Sequence, residues 1–265
     1  KGTGRYIPEK ILNNADLEKM VDTSDEWIIT RTGMKERHIA EKNETTSDMA
    51  AKAALNALDN AGITPDMIDL IIVSTVTPDH FFPCTAALVQ QKIGAAKCPC
   101  FDQEAACSGF LYALNTAYGM MASPLGYKRV LVIGAEKMTS LVDWTDRSTC
   151  VLFGDGAAAA VLTLEENEFY QKAWSDGNDE VLSCKGVGYK NQHLLMEGSK
   201  VFKFAVKAIA QGIDEILEKA GKTIKDIDYV VCHQANERII DHVSRKYKGV
   251  KFYKNMDRYA NTSAA

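Results

Sequence analysis

No uninterrupted apolar run in the 265 residues approaches the roughly 18–20 that a membrane helix needs. The opening residues, Lys1-Gly2-Thr3-Gly4-Arg5, carry no apolar stretch of the signal-peptide kind. Proline is scarce at 6 and glycine stops at 18, which excludes collagen-like and low-complexity classes. Basic excess is also missing: 31 Lys and Arg stand against 35 Asp and Glu, a net charge of −4, which argues against a nucleic-acid protein. A local basic patch stays compatible with that balance. What remains is the composition of a folded chain, 46% hydrophobic and 25% charged, long enough for one large domain or two fused units.

The seven cysteines, Cys84, Cys98, Cys100, Cys107, Cys150, Cys184 and Cys232, are odd in number and irregular in spacing. In a chain of this length that pattern reads as reduced thiols of a cytoplasmic protein rather than a disulfide framework. Cys98-Pro99-Cys100 is the only close pair, and no second pair or nearby histidine completes a four-ligand zinc site, so no metal is expected.

One unit occurs twice. GITPDMIDLI at 62–71 and GKTIKDIDYV at 221–230 share Gly62/Gly221, Thr64/Thr223, Ile68/Ile227 and Asp69/Asp228 at an offset of 159. A helical pattern over Met49–Ala61, with Ser47 as N-cap, precedes the first glycine, and one over Lys200–Ala220 precedes the second; a glycine suits the C′ position of each. Leu70–Val73 and Tyr229–Cys232 follow as β-branched, non-alternating runs, the pattern of strands covered on both faces. A helix over Ser108–Met121 and strands over Arg129–Gly134 and Ala157–Leu164 continue the first half. The offset carries the equivalent of the last strand past Ala265, so the second half is expected to lack roughly its last 55 residues. The polar, irregular stretch 165–191 is the expected linker. Strands alternating with helices, duplicated, indicate a layered α/β fold, divided into halves 1–165 and 166–265.

Cys107, in Ala105-Ala106-Cys107-Ser108-Gly109-Phe110, opens an apolar helix, where free N–H groups stabilise a thiolate and small neighbours let a ligand approach; a packed core cysteine is the alternative. His233 follows the second-half strand, the usual place for an α/β active site, or is a satisfied structural histidine. Asn261 alone reads as a turn or cap residue, but the offset maps it onto Asp102, just before Cys107, so the two are expected to meet in space. Gly154-Asp155-Gly156 lacks the features of a phosphate loop and reads as a turn before a strand. Trp27 and Arg147 could sandwich an adenine ring, with Trp27 otherwise a core anchor.

Taken together, Thr23-Ser24-Asp25-Glu26-Trp27-Ile28, Arg31-Thr32-Gly33, Ala106–Phe110, Phe153–Ala157, His233-Gln234-Ala235-Asn236 and Asn261–Ala265 strongly resemble the β-ketoacyl-acyl-carrier-protein synthase III family, the initiating condensing enzymes of bacterial fatty-acid synthesis. The resemblance runs over the whole chain. It implies the thiolase fold, two βαβαβαββ halves in an α-β-α-β-α stack, and usually a homodimer. It implies an acyltransferase with a Cys107–His233–Asn261 triad, taking acyl-CoA, with acetyl-CoA the expected starter, and malonyl-acyl carrier protein, with CoA a substrate and no cofactor. Trp27 and Arg147 match the residues holding the CoA adenine, Arg31 a CoA phosphate contact, Asn236, Gly198 and Phe202 positions along the pantetheine tunnel, and Phe82 the residue closing the acyl pocket across the dimer. An acidic carrier protein demands basic residues near the tunnel; Arg238 best matches the docking arginine, with Lys203, Lys207, Arg245 and Lys246 nearby. Asp102-Gln103-Glu104 departs from the smaller residues expected before Cys107. A polyketide-type or hydroxymethylglutaryl-CoA synthase-like enzyme shares the nucleophile, a papain-like amidase shares the Cys–His–Asn set but not the duplication, and a non-catalytic acyl-CoA or carrier-protein binding module would need no nucleophile.

Overall fold

The computed structural model describes residues 1–95 and 97–265. Its centre is a five-stranded sheet ordered Gly2–Tyr6, Asp155–Leu162, Val130–Lys137, Leu70–Ser74, Cys100–Gln103. The last three run parallel and the first two pair antiparallel, with Ile72 opposite both Val132 and Phe101. All five residues of Leu70–Ser74 are buried. Their alternate side chains go to opposite helix layers. Ile71 and Val73 join Leu131, Ile133 and Ala135 under the helix Thr46–Ala61, whereas Leu70 and Ile72 join Val130 and Val132 under the helix Gly109–Ala122. That explains why the run is apolar without alternation.

The helix Thr46–Ala61 lies directly on the edge of the sheet because both surfaces are trimmed to small residues. Ala50, Ala53, Ala54 and Ala57 recur at helical spacing and are fully buried. Gly4 faces them, and a methyl group there would collide with the backbone of Ala53 and Ala57. The N-cap is Thr45 rather than Ser47. Thr45 Oγ1 accepts from Asp48 N at 3.2 Å while Asp48 Oδ2 accepts from Thr45 N at 3.0 Å, a reciprocal capping box. Ser47 sits inside the first turn and donates its backbone N–H to Asp79.

The duplication is visible in the backbone. Thr46–Ala61 and Gly198–Ala220 end on left-handed glycines, Gly62 at φ 66° and Gly221 at φ 63°. Single 3₁₀ turns follow, Pro65–Met67 and Ile224–Asp226, and then a strand. The second strand is shorter than its sequence implies: only Tyr229–Val230 pairs, in parallel with Lys251–Phe252. Val231 is 71% exposed, with no second strand beside it among the described residues. Residues 165–191 hold no helix and only the strand Leu182–Cys184, which pairs with Leu194–Met196.

A third core cluster gathers Leu17, Ile28, Met138, Phe153, Ile240 and Met256. Arg37 is wholly buried beside it. Its guanidinium donates to Leu12 O at 3.2 Å, Asn14 Oδ1 at 2.8 Å and Val151 O at 2.9 Å. Burial without a paired carboxylate pushes its pKa down to about 10, so it stays charged at neutral pH and ties three segments together. None of the helices is long and apolar enough to cross a membrane among the described residues.

Candidate functional site

Cys107 lies in the 3₁₀ turn Ala106–Ser108, between the parallel strand Cys100–Gln103 and the helix Gly109–Ala122. The charged residues before it have structural work. Asp102 accepts the backbone N–H groups of Thr85 and Ala86 at 2.7 Å each, capping the helix Thr85–Ile93 that follows Phe82. Gln103 accepts from Thr116 Oγ1 at 2.9 Å. Neither carboxylate nor amide therefore competes for the thiol.

His233 is carried by a clamped loop. Gln234 donates to Cys232 O at 2.8 Å and Tyr253 O at 3.2 Å, and accepts from Asn255 N at 2.9 Å. Asn236 caps the helix Glu237–Ser244 by accepting from Arg238 N at 2.9 Å, and donates to Arg31 O at 3.0 Å. One four-residue motif thus supplies a reactive ring, a loop clamp, a helix cap and a tie to the Trp27 helix, Asp25–Thr32.

The Cys107 thiol and the His233 ring act on each other's protonation. Burial alone would raise the thiol. The imidazolium charge, its hydrogen bond and further bonds from Ser263 and the Cys107 backbone outweigh burial and hold the thiol below the ordinary cysteine range. Desolvation would likewise lower His233, but the sulfur raises it above the ordinary histidine value.

Asn261 is 6% exposed and bridges to Phe153, with its N–H on Leu152 O at 2.9 Å and its O accepting from Gly154 N at 3.1 Å. Its Oδ1 accepts from Ser263 N at 2.9 Å, which assigns the amide orientation. No acceptor among the described residues takes its Nδ2, so a donor remains for a ligand. Ser263 is common to the two expected partners: its backbone N–H is held by Asn261 and its side chain lowers the Cys107 thiol. Ala106, Ala260 and Ser263 are the non-glycine residues with positive φ among the described residues, at 44°, 56° and 57°. All three adjoin or touch the triad, and such conformations cost about 1–3 kcal/mol each where the fold holds them.

Arg147 and Arg31 each place a guanidinium carbon 5.0 Å from the centre of the Trp27 ring, and Trp27 also packs on the third core cluster, as its core-anchor reading expects. Arg147 donates to Asp22 O at 2.6 Å. Gly198 opens its helix with only Met196 near where a side chain would be, while Phe202, half-buried, lies 5.6 Å under the Arg238 guanidinium. Phe82 is 86% exposed at the tip of its loop. Lys203, Lys207, Arg238 and Arg245 are exposed, whereas Lys246 is held by Asp214 at 2.5 Å. Gly154-Asp155-Gly156 does lead into a strand, and the buried Asp155 accepts from Thr139 and Ala40 N. Cys98 and Cys100 are both tied to Gln90, and no cluster of three or more potential metal ligands exists among the described residues.

Two residues of the site escape sequence reasoning. Ser263 lies in a recognised motif without an assigned role. Glu136 is a fully buried carboxyl reached by the Ser263 hydroxyl at 3.3 Å. A lone acid inside the apolar run Val130–Lys137 is the signal that could have found it.

The chain matches known proteins over its whole length. The family described as 3-oxoacyl-[acyl-carrier-protein (ACP)] synthase III matches residues 101–177, and its C-terminal counterpart matches 217–265. The beta-ketoacyl-[acyl-carrier-protein] synthase III of Clostridium novyi (strain NT) is 49% identical, covering 100% of this chain and 86% of that one. The crystal structure of 3-oxoacyl-[acyl-carrier-protein] synthase III from Aquifex aeolicus VF5 superposes with a TM-score of 0.94 at 46% identity, covering 100% and 86%. The priming beta-ketosynthase of the R1128 polyketide biosynthetic pathway superposes with a TM-score of 0.93 at 35% identity, covering 100% and 83%.

Proposed function

The chain belongs to the β-ketoacyl-[acyl-carrier-protein] synthase III family and has its thiolase fold, and on that premise we propose how its own residues carry out the decarboxylative condensation of an acyl-CoA with malonyl-acyl carrier protein that initiates fatty-acid synthesis. The observation that carries the proposal is the mutual action of Cys107 and His233, which lowers the thiol and raises the ring, together with the Nδ2 of Asn261 left without a protein acceptor among the described residues.

In the first half-reaction the Cys107 thiolate attacks the acyl-CoA carbonyl, and the CoA sulfur leaves with the proton of His233. That leaves an acyl-cysteine and a neutral ring with one N–H. In the second half-reaction the malonyl group loses CO₂. The enolate oxygen that develops takes hydrogen bonds from the ring N–H of His233 and from Asn261 Nδ2, each worth about 3–4 kcal/mol at such a site. The enolate carbon attacks the acyl-cysteine carbonyl, the thiolate leaves, 3-oxoacyl-acyl carrier protein is released, and His233 takes back a proton from solvent. No step requires a cofactor.

Trp27 and Arg147 hold the CoA adenine between them, for which the Arg147 guanidinium must swing away from Asp22 O. Arg31 meets a CoA phosphate, while Gly198, Phe202 and Asn236 line the pantetheine path. Phe82 completes the acyl pocket of a second copy in a homodimer, which accounts for an 86% exposed phenylalanine. The exposed Lys203, Lys207, Arg238 and Arg245 receive the acidic carrier protein; Lys246, spoken for by Asp214, contributes less. The nucleophile belongs to half 1–165 and its two donors to half 166–265. The setting is the cytoplasm, where seven unpaired thiols stay reduced.

The test is release of labelled CO₂ from malonyl-acyl carrier protein, with acyl-CoAs of increasing chain length as starters. Release together with a 3-oxoacyl carrier mass, dependent on the acyl-CoA, is expected, with acetyl-CoA the best starter. The 35% identity to the priming polyketide ketosynthase carries the second reading, in which a longer starter outcompetes acetyl-CoA. Absence of CO₂ release with every starter contradicts both.

A further inference from the structure

Glu136 is a buried ionisable group beside the nucleophile that the proposed reaction leaves unused. Donors from two further segments converge on its carboxyl. They are Thr77 Oγ1 at 2.7 Å, Thr75 Oγ1 at 3.1 Å, Val76 N at 3.1 and 3.2 Å to its two oxygens, and Ser263 Oγ at 3.3 Å. No cation is among them. The neighbouring Lys137 turns its ammonium to the carbonyls of Glu41 and Glu44 and its backbone N–H to Thr77 Oγ1. The ionisable group acting on Glu136 from the 3₁₀ turn is Cys107, on which His233 acts in turn. Burial outweighs the hydrogen bonds and pushes the carboxyl up to about 7, with the Cys107 charge adding to the rise.

The Ser263 hydroxyl has one proton and two acceptors to serve, Glu136 Oε1 at 3.3 Å and the Cys107 sulfur, whose pKa it lowers. If the proton goes to an ionised Glu136, the thiolate loses a donor. If Glu136 is protonated, its O–H can donate to Ser263 Oγ, and the serine proton is free for the sulfur. Two adjacent negative charges oppose each other as well. We propose that Glu136 is a positioning residue that, through Ser263, decides whether a hydrogen bond is delivered to the Cys107 thiolate. No bond is made or broken and no proton leaves the chain. The inference rests on the reading of Cys107 as the acyl acceptor.

The test is the pH profile of Cys107 alkylation by iodoacetamide, followed by intact-protein mass, in the wild-type chain, Glu136→Gln, Ser263→Ala and the double variant. The glutamine keeps an acceptor for the threonines and Val76 while its NH₂ donates permanently to Ser263, imitating the neutral acid. Its thiolate midpoint is expected about one pH unit below wild type, a tenfold gain in thiolate at the foot of the profile. Ser263→Ala is expected to raise the midpoint, and in its background Glu136→Gln should lose at least half of its effect. An unchanged midpoint in Glu136→Gln, or a shift of equal size without Ser263, overturns the proposal. Should Glu136→Gln fail to fold, Ser263→Ala decides alone, and an unmoved midpoint there overturns it. Acetyl-CoA labelling of the wild-type chain is run in parallel. Its failure would strike the functional reading, while the alkylation profiles would still answer for Glu136.

Discussion

Replacing His233 with alanine is expected to slow condensation by at least about 10³-fold, because the ring serves both half-reactions. It supplies the charge and hydrogen bond that hold the Cys107 thiol down, and in the proposed mechanism it then supplies a donor to the enolate. Asn261→Ala separates the two roles. Asn261 contributes no hydrogen bond to the sulfur, so the variant should keep most of its acyl-cysteine formation while condensation falls by about 10²–10³-fold, the loss typical of one such donor. Steady-state condensation rates measured beside the rate of acyl-cysteine formation separate the cases. Equal losses in both half-reactions for Asn261→Ala would contradict its assignment as an enolate donor.

Gly134→Ala is expected to disable the site from within the sheet. A methyl group at Gly134 lands on the backbone carbonyl of Ala264, a clash that no side-chain rotation can relieve. Gly134 is held in register by Ser74 on one side and Ala158 on the other, so the segment 261–265 must move instead. That segment carries Asn261 and Ser263. Loss of about 1–3 kcal/mol in urea titration, as for overpacking elsewhere, should accompany at least about a hundredfold loss of condensation. Gly156→Ala is the control. Its nearest neighbour, Tyr6 O, would stand at 3.5 Å, an ordinary contact, and little change is expected in either measurement. Full activity in Gly134→Ala would show that the Ala264 contact does not hold the site.

The features legible in the sequence are those carried by local pattern. Gly62 and Gly221 announced both helix ends, and a β-branched run without alternation announced strands covered on both faces. Cys107 stood out because it opens an apolar helix, and His233 because it follows a strand at the end where α/β sites form. What escaped depended on partners far along the chain. Thr45-Thr46-Ser47 offers three possible caps in a row, and only Asp48, reaching back to the Thr45 N–H, selects the first. Tyr229–Cys232 has the composition of a four-residue strand, yet one neighbouring strand supports only two rungs. Asp102 looked out of place until the free N–H groups of Thr85 and Ala86 arrived over it. Glu136 depends on residues 75–77, 107 and 263 meeting at one point, which no periodicity encodes. The left-handed Ala106 and Ala260 were equally hidden, since alanine gives no hint of positive φ.

The most direct test of the account is peptide-mapped mass spectrometry of the chain after mixing with acetyl-CoA alone, with Cys107→Ala alongside. One acetyl group on Cys107, absent from Cys107→Ala and discharged when malonyl-acyl carrier protein is added, is the predicted result. An acetyl group on any of the other six cysteines with Cys107 unmodified, or an adduct that malonyl-acyl carrier protein leaves in place, would contradict the claim that Cys107 is the nucleophile of a condensing enzyme.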